Sequence, residues 1–181
     1  MYKRQILAYY NHKINGVPVK KEEMTSHDFN LIKKYHITLE DRMDKENLFF
    51  HDPRSLDLIK PVTWAKEKLI SFKKQWYKIY VVTGRPEALR EHTYAWINKH
   101  FEDIIDDIFF CSADIPSQKR LKSDVCKEVG SLMMVDDDAR FAADVWNIGI
   151  KTYVINKPWN KTFEPNVDNI IKVDTWNEIE I

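Results

Sequence analysis

The sequence predicts an α/β protein: a Rossmann-like, doubly wound parallel sheet with a small helical cap inserted into it. Three observations carry that expectation. Short β-prone apolar runs recur at residues 79–82, 108–111, 132–135 and 151–155, each too short for a helix. Amphipathic stretches with helical spacing stand between them. Such alternation favours parallel strands joined by crossover helices that cover both faces of the sheet.

Between Lys3 and Asn11, Ile6, Leu7 and Tyr10 fall at helical spacing, and Asn15-Gly16 supplies a stop. Residues 17–60 are polar and mixed, with apolar groups at Phe29, Leu31 and Ile32 and at Leu48-Phe49-Phe50, broken by Asp52-Pro53. They read as small helices joined by loops, a cap rather than a core layer. Pro61 is placed at the start of a helix whose Ala65, Leu69, Phe72 and Trp76 make one apolar stripe. Ile79 to Val82 then reads as a buried strand, Thr83-Gly84-Arg85-Pro86 as a tight turn, and the segment to about Lys99 as a helix. A second strand, Ile108 to Cys111, precedes a polar loop at 112–119 and a helix from about Ser123 to Val129 that Gly130 ends. Leu132 to Val135 is the next strand, halted by Asp136-Asp137-Asp138. Phe141, Val145 and Ile148 mark a helix face, Gly149 closes it, and Lys151 to Ile155 is again a strand. Ile170 to Val173 gives a last short strand, with Thr175 capping a terminal turn.

At 181 residues with 44% hydrophobic content, the chain suits one domain spanning 1–181 with a real core. Lys+Arg and Asp+Glu balance at 28 each, so no net field draws it to a nucleic-acid polymer or an anionic membrane. No apolar run approaches the roughly 18–20 residues of a membrane span, and the N-terminus lacks a signal-peptide core, so a soluble, cytoplasmic chain is expected. Cys111 and Cys126 lack CxxC spacing and read as buried free thiols rather than a disulfide or zinc site. Trp and Tyr are scattered, which argues against a base-stacking platform.

Three features fall where an open α/β sheet gathers its ligand groups, at strand ends and helix starts: Thr83-Gly84-Arg85, Lys122 and Asp136-Asp137. A hydroxyl and backbone N–H groups suit phosphate oxygens, an ammonium offsets charge, and carboxylates suit a hard cation such as Mg²⁺. Each has a plainer reading too. The Thr83 to Pro86 stretch suits an ordinary strand-to-helix turn, Lys122 a solvated lysine, and Asp136 to Asp138 a cap on the following helix.

With these motifs in order, the chain from about Tyr9 to its end resembles the haloacid dehalogenase-like (HAD) phosphohydrolases, and within them the 5'(3')-deoxyribonucleotidase type. The family's second motif, an apolar strand ending in Thr or Ser, is matched by Val81-Val82-Thr83 with Gly84-Arg85-Pro86 after it. Its third, a basic residue at a helix start, is matched by Lys122, with Lys119 as the alternative. Its fourth, a strand ending in paired acids, is matched by Leu132 to Val135 followed by Asp136-Asp137. The stretch from Gly149 to Asn160, with Asn156, Pro158 and Trp159, and the ending from Ile170 to Trp176 also look like the nucleotidase branch.

The resemblance implies Mg²⁺-dependent hydrolysis of a nucleoside monophosphate, a small phosphate ester, through aspartyl-phosphate; a homodimer is a separate expectation. Thr83 and the Gly84 N–H would hold the transferring phosphoryl group, Lys122 would offset its charge, and Arg85 would clamp the substrate phosphate. Asp136 and Asp137 would hold or orient Mg²⁺. The cap at 17–60 would exclude water and choose the base through Phe49, Phe50 or Trp64, for which plain packing is the simpler reading.

One family element is absent: no Asp-x-Asp precedes Thr83. Family members open with a strand ending in that motif, whose first Asp is the nucleophile. Either the chain begins after that strand, the favoured reading, or Gln5 to Tyr10 is a degenerate version with Ala8 and Tyr10 at the acid positions. The family's first strand lies centrally, between the strands ending at Thr83 and Val135, so its absence predicts a gap in the sheet and a chain without phosphatase turnover. A non-catalytic relative that binds a nucleotide, phosphate or protein is the competing reading. A phospho-acceptor receiver domain is disfavoured, because receivers place the acid pair before Thr and Lys.

Overall fold

The computed structural model describes residues 48–111 and 120–181. The expected helix at Lys3 to Asn11, the degenerate strand at Gln5 to Tyr10, most of the 17–60 cap, the 112–119 loop and Lys119 lie outside the described residues. The chain divides into two compact units. One includes residues 48–62 and Lys157–Thr162; the other is Thr63–Asn156 with Phe163–Ile181.

In the first unit, residues 48–51 are helical and α1 spans Ser55–Leu58. Asp52 starts that helix by accepting the Arg54 N–H on Oδ1 at 2.9 Å, which uses one of the donors a helix start leaves unpaired. Phe49 and Phe50 are buried and meet edge to face at 5.3 Å, so these two aromatics pack rather than stand open. A single 3₁₀ turn, Pro158–Asn160, is closed by the Asn160 side chain accepting the Lys157 N–H at 2.9 Å.

The second unit holds the sheet. Its elements run α2 (Ala65–Lys74), β1 (Tyr80–Thr83), a 3₁₀ turn (Glu87–Leu89), α3 (Arg90–Phe101), β2 (Asp107–Phe110), α4 (Lys122–Glu128), β3 (Met133–Asp136), α5 (Ala139–Trp146), β4 (Lys151–Ile155), β5 (Ile170–Val173) and a 3₁₀ turn (Trp176–Glu178). All pairings are parallel, as the alternation of strand and helix expects: β1 with β2, β3 with β4, and β4 with β5. They form two ladders, β1-β2 and β3-β4-β5. Among the described residues no strand pairs with the other edge of β1 or of β3.

Alternating side chains of the three-stranded ladder serve two layers, because successive residues of a strand point to opposite faces. Met133, Val135, Tyr153 and Ile155 join Leu69 and Phe72 of α2 and Ile179 of the terminal segment. On the opposite parity, Met134 packs with Cys126 of α4 and Val145 of α5, and Val154 with Ala142. β4 lies between two partners, which is why Thr152 to Ile155 are all buried. The terminal segment is tied down as well: Tyr153 Oη donates to Glu180 O at 2.9 Å, and Glu178 accepts from Thr175 N–H at 2.8 Å.

Several expectations shift. Trp76 is not on the α2 stripe: the helix stops at Lys74, and Trp76 takes φ 68° and is 94% exposed. Nor does Pro61 open α2, which starts at Ala65 after Trp64 in a left-handed conformation, φ 66°. The buried strand at 79–82 is half-buried along its length, since β1 has a described partner on one edge alone. Leu132 is exposed and precedes β3. The helix after Pro86 begins at Arg90, with Pro86 extended at ψ 150°. Gly130 and Gly149 end α4 and α5 with φ of +62° and +82°, the left-handed geometry a side chain resists. Among the described residues, no helix is long and apolar enough to cross a membrane.

Candidate functional site

Strand β1 delivers Thr83 to the carboxyl end of its ladder, in register with Phe110 of β2. The chain turns at once, because Thr83 Oγ1 accepts the Arg85 N–H at 3.2 Å, a side chain substituting for a backbone partner. Between them Gly84 is exposed, and a Cβ built on it would meet nothing within 4 Å. Its φ is not in the left-handed region, so the backbone does not demand glycine there. No bond among the described residues takes the Gly84 N–H. An open N–H beside an oriented hydroxyl is a pair of donors that an anion can use.

Arg85 lies deeper than a surface clamp would. Its residue is 8% exposed, and Nη1 donates to Thr93 Oγ1 at 3.0 Å. Thr93, itself buried on α3, donates in turn to Leu89 O at 2.8 Å.

Lys122 is the first residue of α4, and Asp136 the last of β3. The fold brings them together: Lys122 Nζ donates to Asp136 Oδ2 at 2.5 Å, with the two side chains 10% and 8% exposed. The ammonium also sits 4.2 Å from the centroid of the Phe141 ring, whose electron-rich face favours a cation. Asp136 Oδ1 accepts the N–H groups of Asp137 at 2.7 Å and Asp138 at 2.9 Å. Asp138 caps α5, its carboxylate accepting from Arg140 N at 3.0 Å and Arg140 Nη2 at 2.8 Å. α4 packs against β1 of one ladder and, through Cys126, against Met134 of β3 in the other, so the helix carrying Lys122 touches both ladders.

The acids offer little to a cation by themselves. Asp136 already uses both oxygens on protein donors, and Asp138 is committed to its cap. Among the described residues, no three His, Cys, Asp or Glu side chains cluster as metal ligands. Magnesium takes near-octahedral oxygen coordination, which Asp136 and Asp137 do not complete, so the described residues alone do not fit the ion. Cys111 and Cys126 are free and buried, and burial pushes both thiols above their ordinary value.

Two contributors were not singled out in the sequence. Thr93 stands with Leu89, Trp96 and Ile97 on the buried face of α3, and a lone polar residue in an apolar stripe was the available signal. Phe141 shows in the sequence as one residue of a helix face; its partnership with an ammonium arises only from tertiary contact. Of the predicted residues, Lys122 and Asp136 meet directly, and Thr83, Gly84 and Arg85 share one turn.

No protein-family model matches the sequence, and no curated protein matches it. Solved structures do share the fold. A HAD hydrolase of family IA, variant 3, from Entamoeba histolytica HM-1:IMSS has a TM-score of 0.61 at 18% identity, covering 99% of this chain and 90% of that one. Protein tyrosine kinase A of Mycobacterium tuberculosis has a TM-score of 0.65 at 14% identity, covering 96% and 88%. A Lactobacillus delbrueckii subsp. bulgaricus protein provisionally assigned as a phosphoglycolate phosphatase gives 0.53 at 16% identity and 79% coverage of this chain. The present chain spans 62% of that protein's length. The fold is therefore HAD-like, and because neighbours on it include a kinase as well as hydrolases, chemistry has to be argued from the site.

Proposed function

We propose that this chain carries the phosphate-handling half of a HAD-like phosphohydrolase of the 5'-nucleotidase type. The observation that carries the reading is the buried Lys122–Asp136 pair, made by a helix start and a strand end, on a helix packed against the strand that ends in Thr83. In this reading Thr83 Oγ1 and the Gly84 N–H donate to phosphate oxygens, Arg85 adds positive charge behind the turn, and Lys122 offsets the developing negative charge. The substrate in this reading is a small phosphate ester of the nucleoside monophosphate class. The reading takes 1–181 as one HAD-like domain with a cap at 17–60, in a cytoplasmic chain with neither nucleic-acid polymer nor membrane as partner.

Magnesium belongs to the same reading. Asp136 and Asp137 would orient it, but with both Asp136 oxygens on protein donors they do not form its coordination shell by themselves.

No Asp-x-Asp precedes Thr83 in the 181 residues, and covalent transfer needs that nucleophile, so this reading expects no phosphatase turnover from them. The same fact favours a second reading, a non-catalytic relative that keeps the anion site for binding. Incubation with Mg²⁺ and deoxynucleoside monophosphates should release no phosphate. Metal-dependent release abolished by Asp137→Ala would refute the inactivity. Saturable binding of inorganic phosphate, lost in Thr83→Val, would support the retained site common to both readings.

A further inference from the structure

We infer that Thr93 is a positioning residue for the anion site, acting through Arg85 on the Thr83-Gly84 turn. The inference rests on the proposed phosphate-binding role of that turn.

Four groups form a continuous chain. Thr93 Oγ1 donates its proton to Leu89 O at 2.8 Å, and its lone pair accepts Arg85 Nη1 at 3.0 Å. The Arg85 backbone N–H donates to Thr83 Oγ1 at 3.2 Å. Each hydroxyl is thereby given a direction. Thr93 has spent its only proton on a helix carbonyl, so toward Arg85 it can only accept. Thr83 Oγ1 accepts from the backbone, so its proton remains for donation to an oxygen of an anion. The guanidinium stays charged at all working pH values, and at 8% residue exposure its place is set by its bonds rather than by solvent.

Thr93 is one of the partners that hold the buried Arg85 guanidinium, which has a further contact besides it, and loss of this acceptor lets the side chain re-seat and pull on its backbone. Arg85 N is two residues from Thr83, within the same tight turn, so that movement changes both the bond that orients the Thr83 hydroxyl and the direction of the Gly84 N–H. Thr93 is 3% exposed and needs no contact with a ligand to have this effect. Valine has nearly the shape of threonine and removes both bonds; serine keeps the hydroxyl.

The test uses the full chain, with inorganic phosphate as the probe and calorimetric titration as the binding readout. Nitrogen-15 spectra of the Arg85 guanidinium provide a second readout that needs no ligand. Thr93→Val should weaken phosphate about tenfold, equivalent to about 1.4 kcal/mol, and should broaden or shift the Arg85 side-chain resonances. Thr93→Ser should restore both, which a loss of general stability would not do; thermal melting confirms that each variant is folded. Unchanged phosphate affinity in Thr93→Val, with binding still dependent on Thr83, overturns the positioning role while leaving the anion site standing. Unchanged Arg85 resonances in Thr93→Val overturn it without reference to any ligand. Phosphate binding that Thr83→Val does not alter overturns the anion site itself and the role of Thr93 in it.

Discussion

The contact between Lys122 and Asp136 permits a quantitative prediction. Unit charges 2.5 Å apart attract by about 7 kcal/mol at an effective dielectric of about 20, taking 332/(20 × 2.5). Most of that gross attraction is offset by withdrawing two charges from water, since the side chains are only 10% and 8% exposed. What survives is best seen by removing one partner. Lys122→Met leaves a carboxylate supported by two backbone N–H groups, and Asp136→Asn leaves a buried ammonium without its counter-charge, beside Phe141 and a neutral amide. Each should cost about 3 kcal/mol, the low end for an uncompensated buried charge. In a protein of this size that is a fall of roughly 6–12 °C in Tm. The double variant should cost at least ~1.5 kcal/mol less than the sum of the single ones, because the second change removes the orphan left by the first. Urea unfolding of the four proteins gives the coupling directly. Additivity within about 0.5 kcal/mol would refute the reasoning and return Lys122 to the status of a surface lysine.

Gly84→Ala should change thermal stability by less than ~1 kcal/mol, because the added Cβ meets nothing within 4 Å and the residue has no left-handed φ. It should nevertheless weaken phosphate at least about tenfold, since a methyl group on that open turn occupies the approach to its N–H; a titration with wild-type affinity would count against the turn as an anion cradle. At Asp106, burial alone would raise the carboxyl, but bonds from Lys73 Nζ at 2.8 Å and from Ile79 N–H outweigh it and hold the pKa below its ordinary value. A depressed folded-state pKa adds stability that is present above the unfolded value of about 3.9 and is lost as pH falls through the folded one. Acid titrations of unfolding should therefore show a shallower loss of stability below about pH 4 in Asp106→Asn than in the wild type, and parallel curves would exclude the effect.

The strands were legible because their signal is local: apolar runs of four or five residues bounded by breakers need no knowledge of tertiary neighbours. Helix ends were less so. Trp76 has the right spacing for the α2 stripe, yet it lies past the end at Lys74, and its left-handed φ follows from the turn into β1 rather than from composition. Burial of β1 was over-read for a related reason. An apolar strand reports what it can bury, whereas its exposure depends on which edges and faces find partners, and β1 has a described partner on one edge. The site was legible as positions but not as contacts. Nothing in the spacing of Lys122 and Asp136 says that their side chains meet; α4 and β3 had to be packed first. Thr93 was hidden because its value comes from a guanidinium eight positions earlier.

The run Asp136-Asp137-Asp138 shows why adjacent identical residues cannot share one role. The end of a strand places successive side chains on opposite faces, and the helix that follows fixes the third by its need for a cap. Asp136 therefore turns toward α4, where Lys122 waits, and its second oxygen gathers the N–H groups of the next two residues. Asp138 is drawn the other way, onto Arg140 N and the Arg140 guanidinium, and is 3% exposed. Asp137, half-buried between them, accepts neither of those duties. The run of three acids thus holds a charge partner at Asp136, a central acid at Asp137 and a helix cap at Asp138. Of the three, Asp137 is the one whose replacement by Ala leaves the Lys122–Asp136 pair and the Asp138 cap of α5 in place.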